Sequence, residues 1–194
     1  DIPLDIIYED ADVAVVNKPQ GMVVHPSAGH TSGTLVNALM YHVKDLSSIN
    51  GVVRPGIVHR IDKDTSGLML FAKHGYAHAR MDKQLQQKSI KKHYYALVEG
   101  DTKLEERGEI IAPIARDVDS IITRRVHKSG KYAHTSYRLV ADYGRVKLVD
   151  INLHTGRTHQ IRVHFAHLGL PLLGDDLYGG SLDYGIKRQA LHCH

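Results

Sequence analysis

The segment Gly56-Ile57-Val58-His59-Arg60-Ile61-Asp62-Lys63-Asp64-Thr65-Ser66-Gly67 runs straight into Leu68-Met69-Leu70-Phe71-Ala72. A charged, hydroxyl-rich stretch ended by glycine thus meets an apolar run of strand length. Such a strand would hold Asp62, Thr65 and Ser66 in place, and the polar stretch reads as a loop built for chemistry. The competing reading is a solvated turn with its own exposed ion pair, which is common and adds little stability. Local pattern leaves the two level.

Outward from this segment the chain alternates short strands with a few helices. Ile6 to Tyr8 and Val13 to Lys18 read as strands around the acidic turn Glu9 to Asp12, the second ended by Pro19 and Gly21. Residues Thr34 to Lys44 carry Leu35, Val36, Leu39, Met40 and Val43 at helical spacing, with Thr31, Ser32 or Thr34 as caps. A polar loop, Asp45 to Gly56, leads into the opening segment. Beyond it, Tyr76 to Lys88 reads as a surface helix, and Tyr94 to Val98, Thr135 to Val140 and Arg145 to Leu153 as strands. Asp117 to Lys131 reads as irregular and basic, with Arg124, Arg125, His127, Lys128 and Lys131 as candidates for phosphate contact or plain solvated charge. Thr158 to Leu168 reads as a helix capped by Thr155 or Thr158, with Gly169 and Pro171 as its stop. The element list predicts an α+β domain on a largely antiparallel sheet.

With 194 residues and 42% hydrophobic composition the chain can bury one substantial core, so a single domain over 1–194 is expected. Lys and Arg number 25 against 21 for Asp and Glu, a net charge of +4 that suits a polyanion but fits an ordinary basic protein equally well. The fifteen His residues include no His-Glu-x-x-His, and His164 with His167 lack a third ligand. No metal site is expected. A lone Cys193 allows no internal disulfide, and with no secretory signal or transmembrane-length run the expectation is a cytoplasmic monomer without a membrane partner.

Three blocks carry a resemblance: His59 to Gly67, then Lys92-His93-Tyr94-Tyr95-Ala96-Leu97-Val98-Glu99-Gly100, then Thr155-Gly156-Arg157-Thr158-His159-Gln160-Ile161-Arg162-Val163-His164. In kind and order they resemble RNA pseudouridine synthases of the large-subunit ribosomal RNA type, with Ile61 where that family has Leu. Lys18-Pro19, Gly174-Asp175 with Tyr178-Gly179, and Leu191-His192 also fit, so the resemblance covers essentially the whole chain. It implies a mixed, largely antiparallel, bent central sheet whose flanking helices and loops line an RNA-binding cleft. It implies isomerisation of specific uridines in structured RNA without a cofactor, with large-subunit ribosomal RNA ahead of transfer RNA as substrate. The family's usual accessory RNA-binding domain is expected to be absent, and the stop at His194 implies a shortened catalytic domain.

The reaction breaks the bond from sugar to ring nitrogen, turns the uracil and joins the sugar to ring carbon five, with no net redox change. By resemblance the essential carboxylate is Asp62, acting either as nucleophile at the anomeric carbon or as base on the neighbouring sugar carbon. Burial alone would push such a group toward its neutral form, and a fixed cation offsets that. The family pattern assigns this ion pair to Arg162, whose guanidinium can grip a carboxylate with two parallel hydrogen bonds. Read without the family, Arg162 is one more helix-surface arginine. Tyr94 is implied to stack on the uracil and assist proton removal from ring carbon five, while Tyr95, facing the other way, is expected in the core. Leu191 would pack on the base's other side, Lys18 would support the site, and Thr65, Ser66 and Gly67 would shape the loop. Arg60, two residues before Asp62, projects to the same side if the segment is extended, and Arg60 or His59 would fill the space of an extruded base.

Two other classes compete. Asp62, Asp64 and His59 could ligate Mg²⁺ in a metal-dependent nuclease, which chelator would abolish. A catalytically silent RNA-binding module of the same fold would be favoured by loss of Asp62, Tyr94 or Arg162, and all three are present. Gly-x-Ser-x-Gly, Gly-x-Gly-x-x-Gly and the P-loop pattern are missing, which removes hydrolase, dinucleotide and nucleoside-triphosphate readings.

Overall fold

A computed structural model describes residues 2–24, 32–42 and 57–194, with the His42 side chain left aside. The expected loop Asp45 to Gly56 and the cap candidate Thr31 lie outside the described residues. The chain forms two compact units, residues 1–90 with Cys193, and residues 91–192 with His194.

The first unit holds strands β1 (Asp5–Glu9), β2 (Val13–Lys18) and β3 (Ser66–Ala72) and helices α1 (Leu35–His42) and α2 (Gly75–Gln86). β2 lies antiparallel between β1 and β3, with Val13 opposite Ala72 and Lys18 opposite Gly67. Alternation decides which residues go inward: Ala14, Val16 and Lys18 of β2 and Met69 and Phe71 of β3 are buried, together with Leu35 and Leu39 of α1. Thr34 caps α1, its hydroxyl accepting from the Asn37 N–H at 3.3 Å while the Asn37 amide oxygen accepts from the Thr34 N–H at 2.9 Å. This is a reciprocal capping box, and it selects Thr34 from the expected caps. α2 is capped by His74, whose Nδ1 accepts from the Ala77 N–H at 3.3 Å.

In the second unit the strands are β4 (Lys92–Glu99), β5 (Arg107–Ile111), β6 (Ile114–Arg116), β7 (Arg124–Val126), β8 (His134–Asp142), β9 (Val146–Leu153) and β10 (Leu191–Cys193), with helix α3 (Gln160–His167). β10, β4, β9, β8 and β5 adjoin in that order, and the β4–β9, β9–β8 and β8–β5 pairs are antiparallel. Tyr94, Ala96 and Val98 of β4 and Val149 and Ile151 of β9 face the core, joined there by Phe165 of α3. The stretch expected to be irregular instead contains β7, which pairs with β6 as a separate hairpin. Its strands are short and arginine-rich, and the apolar cover comes from elsewhere: Ile114, Ala133 and Val163 pack together with Val126 and Tyr178. Among the described residues there are three α-helices and mostly antiparallel strands, and the fold class is α+β, as the element list predicts.

Candidate active site

The Asp62 loop is fastened at both ends. The Thr65 N–H donates to the Asp62 carbonyl at 3.0 Å, closing a turn over Lys63 and Asp64 that begins with aspartate, a favoured first turn residue. The Lys63 carbonyl accepts from the Gly21 N–H at 2.8 Å and from Lys18 Nζ at 2.9 Å. Lys18 is fully buried, and its ammonium also donates to the carbonyls of Pro19 (3.0 Å) and Met22 (2.9 Å). A buried ammonium must be saturated with acceptors, so Lys18 ties the end of β2 to the Asp62 turn. Thr65 is buried, Asp62 is partly exposed, and Arg60 is exposed. His59 leans back onto β3, its Nε2 accepting from the Leu70 N–H at 3.1 Å. In the neutral ring the proton then sits on Nδ1. Gly67 has φ +123°, and a Cβ there would lie 2.2 Å from the Cys193 carbonyl oxygen, so only glycine fits where the loop enters β3.

On β4, Tyr94 is 6% exposed and Tyr95 38%. The expectation for Tyr95 is therefore reversed: it is the outward member of the pair, stacked on His194 with ring centroids 3.9 Å apart. Leu191 is buried on β10, which is tied beside β4 by the Leu97 N–H donating to the Ala190 carbonyl at 3.1 Å and the His194 N–H donating to the His93 carbonyl at 2.9 Å.

Arg162 is buried on α3, not exposed as an isolated reading of the helix would have it. Its Nε and Nη2 donate to Asp175 at 2.8 and 2.9 Å, a two-pronged pair in which both side chains are almost fully enclosed. The Tyr178 ring lies 5.0 Å from the guanidinium carbon, within cation–π range. The Tyr178 hydroxyl accepts from the Arg124 N–H at 2.9 Å and meets His159 Nδ1 at 2.6 Å, and burial raises its pKa above the ordinary tyrosine value, keeping it a neutral phenol. Asp175 and Tyr178 were visible in the sequence only as a block that fits the resemblance. Nothing in their spacing from Arg162 indicated a clamp.

The rest of the Thr155 to His164 block anchors α3. His159 precedes the helix in a left-handed conformation (φ 56°, ψ 24°) and makes no side-chain cap, contrary to the expectation of Thr155 or Thr158. The Gln160 carbonyl oxygen instead accepts from the Thr155 hydroxyl at 2.7 Å and from the Arg157 N–H at 3.0 Å. Its amide nitrogen donates to the His134 carbonyl (3.0 Å) and the Thr135 hydroxyl (2.9 Å). Thr135 meets His164 Nδ1 at 2.8 Å, and His164 Nε2 faces the Ala112 carbonyl at 2.9 Å. A carbonyl can only accept, so Nε2 carries the proton and Nδ1 takes one from Thr135. Burial lowers the His164 pKa, which preserves this neutral form.

Beside the β6–β7 hairpin lies a groove of about 480 Å³ lined by Arg116, Arg124, Lys131 and Arg157 with Ser129 and Thr158, and by no carboxylate. Arg124 and Lys131 were phosphate candidates in the sequence; Arg116 and Arg157 join them only through folding. Among the described residues no group of three or more His, Cys, Asp and Glu side chains is placed to hold a metal ion.

These features meet known proteins at several levels. Residues 12–167 match the family model described as RNA pseudouridylate synthase. The chain is 54% identical over 180 residues to an "Uncharacterized RNA pseudouridine synthase" of Aquifex aeolicus, covering 92% of this chain and 57% of that protein. It is 48% identical over 206 residues to the "Ribosomal large subunit pseudouridine synthase D" of Zymomonas mobilis, covering 99% and 63%. The chain thus spans about three fifths of the length of these relatives. Among solved structures, "Human RNA Pseudouridylate Synthase Domain Containing 1" superposes with a TM-score of 0.79 at 26% identity, over 98% of this chain and 76% of that one. A match over four fifths of the length, a span that includes the Asp62 turn, Tyr94 and Arg162, makes this chain a member of the RNA pseudouridylate synthase family.

Proposed function

We propose that this chain converts uridine to pseudouridine in structured RNA of the large ribosomal subunit, with Asp62 as the essential carboxylate and no cofactor. The observation that carries the reading is the mount of Asp62: a partly exposed carboxylate on a turn pinned by buried Lys18 and Thr65. A rigid mount matters because a carboxylate that attacks or deprotonates the ribose must already stand at reacting distance, and holding it there lowers the barrier without new bonds. By the family's pattern Asp62 acts on the sugar, Tyr94 receives the face of the turning uracil, and Arg162 is the cation the pattern assigns to the reaction. Leu191 packs on the base's other side, while Arg60 fills the gap left in the stack. Relatives named for large-subunit ribosomal RNA favour that substrate, and the four-cation groove supplies the charge that a folded RNA requires.

The test is tritium release from RNA labelled at uracil carbon five, with wild type and Asp62→Asn assayed in the presence of chelator. Release by wild type with loss of at least about 10³-fold in the variant is expected, the order reached when a covalent catalyst is removed. Activity that vanishes in chelator, or RNA that becomes shorter, would point to the nuclease reading; undiminished release by Asp62→Asn would remove Asp62 from the chemistry.

A further inference from the structure

Tyr178 is tied to several parts of the second unit at once. Its ring lies 5.0 Å from the Arg162 guanidinium carbon and packs against the cluster of Ile114, Ala133 and Val163. Its hydroxyl accepts from the Arg124 N–H at 2.9 Å and meets His159 Nδ1 at 2.6 Å. A backbone N–H can only donate, so the one phenolic proton is left for His159, and the raised pKa of Tyr178 keeps that proton in place. His159 itself holds φ +56°, a left-handed backbone uncommon outside glycine, and such outliers persist only where their surroundings over-determine them. Its side chain makes no helix cap. What it reaches instead is Tyr178, whose ring it also meets edge-on with centroids 5.5 Å apart.

Arg162 needs such a ring. A guanidinium carries five N–H donors, and Asp175 takes one on Nε and one on Nη2. Directional contacts that Arg162 makes in a reaction fall to the other three, and the guanidinium plane sets where those point. Two parallel bonds along one edge fix its position but leave the plane able to rock about that edge, and an aromatic face laid on it removes the rocking. Both restraints come from one short segment. Tyr178 follows Asp175 by three residues, at the end of the turn Asp176–Tyr178, and its N–H donates to the Asp175 carbonyl at 3.2 Å. The Gly180 N–H reaches the same carbonyl at 2.7 Å, and a Cβ on Gly180 would lie 2.0 Å from the Leu172 carbonyl oxygen, so the turn closes too tightly for any side chain there.

We propose that Tyr178 is a positioning residue for the isomerisation: its hydroxyl, held by β7 and His159, fixes the ring, and the ring fixes the plane in which Arg162 presents its remaining donors. The inference rests on the uridine-isomerising reading given above and adds to it a residue that acts through Arg162 without touching the substrate. Wild type, Tyr178→Phe and Tyr178→Leu are compared in single-turnover tritium release from a large-subunit ribosomal RNA transcript labelled at uracil carbon five, with enzyme in excess, alongside equilibrium RNA binding. Phe keeps the ring and removes both hydroxyl bonds, and the rate constant should fall about tenfold. Leu removes the ring, and the fall should approach about 100-fold, the size expected of a misplacement near 1 Å. RNA affinity should stay within about twofold of wild type in both, which marks an interaction used only in the chemical step. A residue serving stability alone would not give this pattern, because unfolding removes molecules and, with folded enzyme still in excess, leaves the rate constant as it was. Should Leu yield no folded protein by circular dichroism, Phe decides alone. A Tyr178→Phe rate constant equal to wild type overturns the proposal, as does a folded Leu variant no slower than Phe, or a loss that doubling the enzyme abolishes. Wild type that releases no tritium overturns the isomerising reading and the positioning role with it, whereas wild-type release with unchanged variants removes Tyr178 alone.

Discussion

Replacing Asp175 by Asn tests whether the Arg162 clamp is held by charge and geometry together. The pair is enclosed, with side-chain exposures of 8% for Arg162 and 2% for Asp175, so neither ion is screened by water. Asn keeps one acceptor for Nε or Nη2 and turns an NH₂ group toward a guanidinium that can only donate. One charge-assisted bond is lost, a donor faces a donor, and the negative charge of Asp175 is gone. Removing one partner of a buried pair costs about 3–5 kcal/mol. The Tyr178 ring, 5.0 Å from the guanidinium carbon, remains and offsets part of that. The expected loss is about 3 kcal/mol, a large share of the 5–15 kcal/mol typical of a whole domain. With a urea slope of about 2 kcal/mol/M the unfolding midpoint falls by roughly 1.5 M, measured by circular dichroism on purified protein. The double variant Arg162→Met, Asp175→Leu, which leaves no buried ion from the pair, should recover much of the loss. A shift below about 1 kcal/mol for Asp175→Asn, or a double variant less stable than the single one, would show that the clamp is not an energetically coupled pair.

Two further outcomes follow from the same packing. The folded His164 pKa lies below that of the unfolded chain, so the unfolded state binds the proton first as pH drops. Stability should therefore be complete above about pH 6.5 and fall as pH descends from there toward the folded pKa, and urea midpoints between pH 7.5 and 5 should show a shallower decline in His164→Gln. Gly67→Ala places a methyl group 2.2 Å from the Cys193 carbonyl oxygen in a backbone conformation that alanine rarely adopts; the loss should exceed about 2 kcal/mol, and a thermal melt within a degree of wild type would contradict the geometry.

What was legible in the sequence was what repeats locally. β2 (Val-Ala-Val-Val-Asn-Lys) and β9 (Val-Lys-Leu-Val-Asp-Ile-Asn-Leu) are short runs rich in β-branched and aliphatic residues, and both were found by that local composition, while their alternating burial shows only in the folded sheet. Alternation also says that Tyr94 and Tyr95 face opposite ways, but not which way is in: that is fixed by the sides on which Ala96, Val98 and the β9 residues gather, a property of the assembled sheet. The β6–β7 hairpin was illegible for a related reason. Three-residue strands reading Ile-Ala-Arg and Arg-Arg-Val have no usable period, and their apolar cover comes from Ala133, Val163 and Tyr178, far along the chain. The Asp62 loop could be read because its turn chemistry is local. The Asp175 partner of Arg162 could not, because a pair formed across an intervening loop leaves no periodic trace.

The Thr155 to His164 block shows why one short segment carries so many distinctive side chains. Gln160 and His164 are one helical turn apart and share a face of α3, and both are consumed by Thr135 and by the His134 and Ala112 carbonyls. That fixes the rotation of the helix about its axis. Arg162 lies two residues from each, roughly 160° around the helix by the 100° step per residue, so locking one face aims the arginine the opposite way, toward Asp175. Every link in the lock is directional, since the carbonyl of Ala112 sets the His164 tautomer and that tautomer sets the Thr135 hydroxyl. Exchanging Gln160 for Glu would keep the acceptor used by Thr155 and Arg157 and delete the donor used by Thr135 and His134, breaking the chain in its middle. The polar residues Gln160, Arg162 and His164 are therefore buried beside Ile161, Val163 and Phe165, and the aim of Arg162 depends on hydrogen bonds made by side chains on the opposite face.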